Sequence, residues 1–130
     1  MIVNKYNTVE VYDKIIDWWK GHNFPPLSID FLPEECFIIS DNSLELYAMF
    51  FYHTNSNLCW IAFPVSNPLI CKEDKKNGLE LLTKGIIEYS KQCGYKYIFT
   101  TSPVKIIQET LLKEGFVLGD ENVNHYIKLI

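Results

Sequence analysis

Arginine is missing altogether. All twelve basic residues are lysine, so no side chain can clamp a carboxylate or phosphate through a bidentate guanidinium fork. A basic excess is missing too: the formal net charge of -4 argues against a sequence-independent nucleic-acid binder, which needs a positive face for the phosphate backbone. No run of about 18 apolar residues occurs, which excludes a membrane-spanning helix. The four cysteines, Cys36, Cys59, Cys71 and Cys93, form no C-x-x-C pair, so their spacing argues against zinc or any other metal. Cys36, Cys59 and Cys93 lie in apolar contexts and read as reduced core thiols. The opening MIVNKYNTVEVYDK has a strand-then-helix pattern instead of the basic and apolar regions of a signal peptide, and the expectation is a cytoplasmic chain.

Apolar material is plentiful: 48% of the 130 residues are hydrophobic and 15% aromatic, enough for one domain with a true core over residues 1–130. No repeat or low-complexity tract divides it, so periodicity sets the elements. Residues 1–6 read as a strand. Thr8 can cap a helix to about Lys20, with Tyr12, Ile15, Ile16 and Trp19 on one stripe and Gly21 as its stop. Of Trp18 and Trp19, one is expected in the core and the other as a half-exposed lid. The segment 22–33, HNFPPLSIDFLP, carries three prolines and should be irregular.

Three strand patterns follow, Cys36–Ser40, Leu44–His53 and Leu58–Val65, joined by short polar turns that favour antiparallel pairing. A long helix is expected from about Glu73 to Cys93, with Leu79, Leu82, Ile86, Tyr89 and Cys93 on one face. Tyr95–Thr101 reads as a buried strand that can lie parallel to 58–65 after the helical crossover. Ser102-Pro103 signals another helix start, with Val104, Ile107 and Leu111 on one face and an end at Gly115. Phe116–Leu118 and Val123–Ile130 pattern as a terminal hairpin. The fold class is thus α/β (α+β): a mixed, mostly antiparallel sheet flanked by helices, in the order β-α-βββ-α-β-α-ββ.

This order, and an ordered set of short motifs, resembles the GCN5-related N-acetyltransferase (GNAT) fold over essentially the whole chain. The pieces are Trp18-Trp19, Phe24-Pro25-Pro26, Leu32-Pro33, Asn67-Pro68, Gly94-Tyr95-Lys96-Tyr97-Ile98-Phe99-Thr100, Gly115-Phe116 and His125-Tyr126-Ile127-Lys128-Leu129. In that combination they are most similar to small GNAT-like proteins of bacteriophages, which would place the chain in a host cytoplasm or a virion. The resemblance implies acetyl-CoA held between strands 58–65 and 95–101, with backbone near Phe63 and Val65 meeting the pantetheine. It also implies a pyrophosphate on the Lys75-Lys76-Asn77-Gly78 stretch at a helix N-terminus, where free amides and the helix dipole favour an anion. Lys75 takes the motif's Gln/Arg position and Gly78 its first glycine, but Glu80 stands where a small residue belongs. The same stretch equally reads as the ordinary first turns of a surface helix, with Glu73 and Asp74 facing the dipole and Glu80 pairing with Lys84.

Leu111 occupies the position where many GNAT enzymes carry a tyrosine acid, and leucine has no proton to give. His53, Glu45 and His125 remain as candidate bases. Two functions follow from the resemblance: an N-acetyltransferase acting on an amine acceptor, or a GNAT fold without chemistry that binds a protein partner in a virion or a host. Neither implies a nucleic-acid or membrane partner.

Overall fold

The computed structural model describes residues 1–130. Its elements are β1 (Ile2–Asn7), α1 (Thr8–Gly21), a 3-10 turn (Ile29–Phe31), β2 (Glu35–Asp41), β3 (Leu44–Tyr52), β4 (Leu58–Ser66), α2 (Lys72–Gln92), β5 (Tyr97–Phe99) and α3 (Lys105–Lys113). The strands lie in sequence order. β1 to β4 pair antiparallel, and β5 joins β4 in parallel after the α2 crossover. The mixed, mostly antiparallel sheet flanked by helices is therefore the one expected. No helix is long and apolar enough to cross a membrane.

Period-two alternation builds both faces of the sheet. Phe37, Ile39, Leu46, Met49, Phe51 and Ile61 point to one side and pack under Leu79, Leu82 and Ile86 of α2, with Ile107 of α3 completing the layer. Cys36, Ile38, Ala48, Phe50 and Val65 point to the other side, under Val11, Ile15, Trp18 and Trp19 of α1. Both faces are covered, which is why β2 and β3 read as almost unbroken apolar runs. The two-residue turn between them places Asn42 and Ser43 at φ of 48° and 70°, the left-handed geometry that matches strand twist in tight hairpins.

Several expectations are corrected. Asn7, rather than Thr8, caps α1: its side chain accepts from the Val9 amide while Glu10 reaches back to the Asn7 amide, and the Thr8 hydroxyl instead donates to the Pro33 carbonyl at 2.6 Å. Trp18 and Trp19 are both buried, because α1 sinks a broad face into the sheet. Cys93 is exposed beyond the end of α2. β5 is short, and of its residues only Ile98 faces the core; Tyr97 and Phe99 are exposed.

The last two strands of the expected order do not form. Phe116 closes α3, its amide donating to the Leu111 carbonyl at 3.0 Å, and residues 117–130 are exposed and irregular. An isolated two-stranded hairpin is marginal in water, and this one would have had only Phe116–Leu118 as its first strand.

Candidate functional site

The parallel pairing of β4 with β5 is brief. It joins Leu58 to Tyr97, Cys59 to Ile98 and Trp60 to Phe99, and then stops. The Thr100 hydroxyl donates to the Ile61 carbonyl at 2.8 Å, a last stitch across the gap. From Ala62 to Ser66, β4 continues with β3 on one side and no strand on the other. Within this bare stretch the register against β3 shifts, and Phe63 adopts φ of 53°, a bulge that twists the strand and re-aims its backbone. Pro64 has no amide to offer. Phe63 thus sits at the bulge, whereas the Val65 side chain is buried beneath α1.

Three elements converge where β4 ends. Asn67 fastens the junction: its amide donates to the Leu46 carbonyl at 2.9 Å, its side-chain amide to the Glu45 carbonyl at 2.9 Å, and its side-chain oxygen accepts from the Leu69 amide. The end of α1 docks closely here, because a Cβ on Gly21 would come within 2.5 Å of the Pro68 ring. The next residue, His22, places its Nε2 2.9 Å from the Ser66 carbonyl oxygen and 3.0 Å from Ser66 Oγ. A carbonyl only accepts, so Nε2 carries the proton, and the lone pair of the neutral ring lies on Nδ1. The ring stacks against Phe24 at 5.5 Å. Ser66 is consequently not a nucleophile activated by His22; Nδ1 is the proton acceptor this end of the sheet provides.

The first turn of α2 opens beside this junction. Cys71 is its N-cap residue and makes no side-chain capping bond, leaving the leading amides without a side-chain partner. The Lys75–Gly78 stretch lies further in. Lys75 already donates to the Cys71 carbonyl at 3.1 Å, and Asn77 and Gly78 are one turn deeper into the helix. Gly78 faces the sheet, where a Cβ would come within 3.2 Å of Leu46 Cβ, so its smallness serves helix–sheet packing. Near the helix start Lys76 is exposed and Lys75 half-buried. Glu80 turns away to Lys113 of α3, at 2.8 Å, and that ammonium holds its carboxyl below the ordinary range. A second pair, Lys84 with Glu114 at 2.9 Å, also ties α2 to α3. The cavity between these helices measures only about 100 Å³. Leu111 packs against the core.

Of the candidate bases, Glu45 is paired with Lys14 of α1, and the two histidines are elsewhere. His125 lies in the exposed C-terminal segment, with no hydrogen bond. His53 lies at the opposite end of the sheet, where its Nε2 meets Glu35 and its Nδ1 is 2.7 Å from the Tyr95 hydroxyl. Tyr89 donates to the same Glu35 carboxylate at 2.7 Å, and Lys5 pairs with it at 3.0 Å. Burial raises the Glu35 carboxyl, but hydrogen bonds from Tyr89, Lys5 and His53 outweigh it, and the net position is below its ordinary value of 4.5. Burial and the adjacent Glu35 charge push Tyr89 up, keeping it a neutral donor. A cavity of about 340 Å³ borders this cluster between Pro33, Glu34, Glu35, Phe51 and His53. Its Glu35 and His53 side chains are already satisfied by each other and by Tyr89, Tyr95 and Lys5, so volume alone does not make it the better candidate.

Sequence reasoning missed His22, Ser66 and Thr100. The only local signal was a histidine directly after the helix-stopping Gly21; its partner is 44 residues away.

No family model and no curated protein sequence matches the chain. Solved structures do. A GNAT-family acetyltransferase from Streptococcus pneumoniae TIGR4 superposes with a TM-score of 0.64 at 10% identity, covering 99% of this chain and 97% of that one. An acetyltransferase from Trypanosoma brucei gives 0.63 at 14% identity, covering 97% and 99%. A predicted acetyltransferase from Clostridium acetobutylicum, solved with acetyl-CoA, gives 0.61 at 14% identity, covering 96% and 95%. At such identities the likeness is one of fold: this chain has the fold of GNAT acetyltransferases.

Proposed function

We propose that the chain binds acetyl-CoA in the split between β4 and β5 and transfers its acetyl group to an amine. The observation that carries this reading is the bare edge of β4 from Ala62 to Ser66, bulged at Phe63 and ending beside the first turn of α2. A strand edge with free backbone groups suits the amides of a pantetheine chain. Acetyl-CoA, when bound, supplies the acetyl group as an activated thioester. The leading amides of α2, with Lys72, Lys75 and Lys76 nearby, would meet its phosphates; Glu73 and Asp74 weaken that attraction. Gly78 acts here through packing: by letting α2 lie close to Leu46 it sets where the helix begins.

His22 takes the proton from the incoming amine at Nδ1, while its Nε2–H remains held by Ser66. Leu111 has no proton to return to the leaving sulfur, so that proton comes from solvent. Direct attack on a thioester depends mainly on positioning, which the split strands provide.

The narrow α2–α3 gap, closed by two ion pairs, favours a second reading: a GNAT fold used as a binding protein without chemistry. Release of CoA thiol from acetyl-CoA, measured with and without a panel of primary amines, separates the two. Amine-dependent release is expected. Its absence across the panel, in a chain that also fails to bind acetyl-CoA, would leave the binding protein as the answer.

A further inference from the structure

One side of the sheet is only partly roofed. α1 covers Ile38, Ala48, Phe50 and Val65, and beyond it the same face continues in the open. Period two puts Tyr52, Trp60 and Phe99 on that face, since Phe51, Ile61 and Ile98 pack on the other. Strand register sets them side by side: Tyr52 pairs with Trp60, and Trp60 with Phe99. Their rings meet at 6.0 and 5.6 Å. Phe63 extends the row 6.4 Å from Tyr52, and Phe31 of the 3-10 turn stands beside Phe63 at 5.9 Å.

These five linked rings carry no charge, and the core does not use them up: Phe31, Trp60 and Phe99 are 42%, 42% and 48% exposed. The row is held in place. Phe63 keeps φ of 53°, a conformation that a bulky residue adopts only under constraint, although its side chain is just half-buried. The Tyr52 hydroxyl donates to the Phe31 carbonyl at 2.9 Å, and Tyr12 ties the same loop at the Leu27 carbonyl, at 2.6 Å.

The row also starts at the split. Phe63 lends its backbone to the bare β4 edge and its ring to the row. His22 and Phe31 are carried at the two ends of one loop. Ser66, which holds the His22 ring, is three residues from Phe63, about 10 Å along an extended strand. Proton acceptor, cleft and aromatic floor therefore lie within the span of one small molecule.

We propose that this row is the acceptor floor, and that the acceptor is a primary amine with an aromatic body, an arylalkylamine whose ring lies on Trp60, Tyr52 and Phe63. This deepens the transfer reading above and rests on it. The amine nitrogen bonds to the acetyl carbon, the thioester C–S bond breaks, and the nitrogen's proton passes to His22 Nδ1. A ring laid on rings is held by area and by the aromatic quadrupole, which an aliphatic chain lacks. A polyamine finds no carboxylate in the row.

Turnover of phenethylamine against butylamine, read as release of CoA thiol, tests this first. The kcat/KM ratio should favour phenethylamine by about tenfold or more, mainly through KM. Trp60→Ala and Phe99→Ala, both at part-exposed positions, should each bring that ratio down toward one, and Val9→Ala, exposed on α1, should leave it as in the wild type. Equal turnover of the two amines, or a ratio indifferent to both row substitutions, would overturn the proposal. Calorimetry separates it from the transfer reading. Phenethylamine should bind the chain directly, and about tenfold more weakly after Trp60→Ala. Binding without any turnover would end the transfer reading and keep the aromatic-amine site; turnover of butylamine without binding of phenethylamine would do the reverse. Light scattering reads the other occupant: a dimer that Trp60→Ala returns to 15.2 kDa would assign the face to a second copy and overturn the proposal.

Discussion

The two ends of the sheet carry similar residue types and use them in opposite ways. At the closed end, where β4 and β5 are paired, His53, Glu35, Tyr89, Tyr95 and Lys5 form a mutually satisfied network. At the split end, β4 runs on without an outer partner, α2 begins without a side-chain cap, and His22 keeps Nδ1 free. The closed end has more titratable groups and a cavity of about 340 Å³. The split end has the unmet hydrogen-bonding capacity, and unmet capacity is what a ligand can use. Richness in ionisable residues is thus the poorer guide to a site in this molecule.

Three substitutions, taken in order of expected effect, and one matched control sharpen the contrast. Gly78→Glu should be the most damaging. Its side chain would press on Leu46 and Ile39 and bury a carboxylate, costing about 3 kcal/mol or more, a fall in melting temperature of roughly 10 °C. Were Gly78 instead part of an open phosphate cradle, the variant would lose binding with its melting temperature unchanged.

His22→Asn should leave stability nearly intact, since Asn can still donate to the Ser66 carbonyl, but lower amine acetylation about 100-fold. The matched variant at the closed end, His53→Asn, should leave turnover within about twofold; equal losses in both would erase the distinction between the ends.

Glu35→Gln should cost about 1 kcal/mol near neutral pH. Because the folded carboxyl titrates below its ordinary value of 4.5, its contribution is fully present above that pH and is lost as the pH falls through the folded value. Denaturant unfolding from pH 7 downward should therefore show wild type and variant converging below pH 4.5. An undiminished gap at low pH would mean that the network does not depend on the Glu35 charge.

Legibility in the sequence followed locality. The meander of β2, β3 and β4 was readable because each strand is a short, largely apolar run and each turn keeps its polar residues. α2 was readable from Leu79, Leu82 and Ile86. What escaped depended on partners far along the chain. Lys75-Lys76-Asn77-Gly78 looks like a loop because lysine and asparagine precede a glycine, and nothing local says that Gly78 must pass close to Leu46. His22 gains its meaning from Ser66, and His53 loses its freedom to Glu35 and Tyr95. Val123–Ile130 has the pattern of a strand, but pattern alone does not supply an edge to pair with.

The measurement closest to the central claim is thermal unfolding with and without acetyl-CoA, in the wild type and in Lys75→Glu/Lys76→Glu. Lys76 is exposed and Lys75 half-buried in the first turns of α2, and the substitutions reverse their charge. A ligand at about 100 times its dissociation constant stabilises by roughly 2.7 kcal/mol, a shift of roughly 10 °C for a domain of this size. The account predicts that shift in the wild type and a much smaller one in the variant at the same concentration. An unshifted wild type at millimolar acetyl-CoA would contradict it.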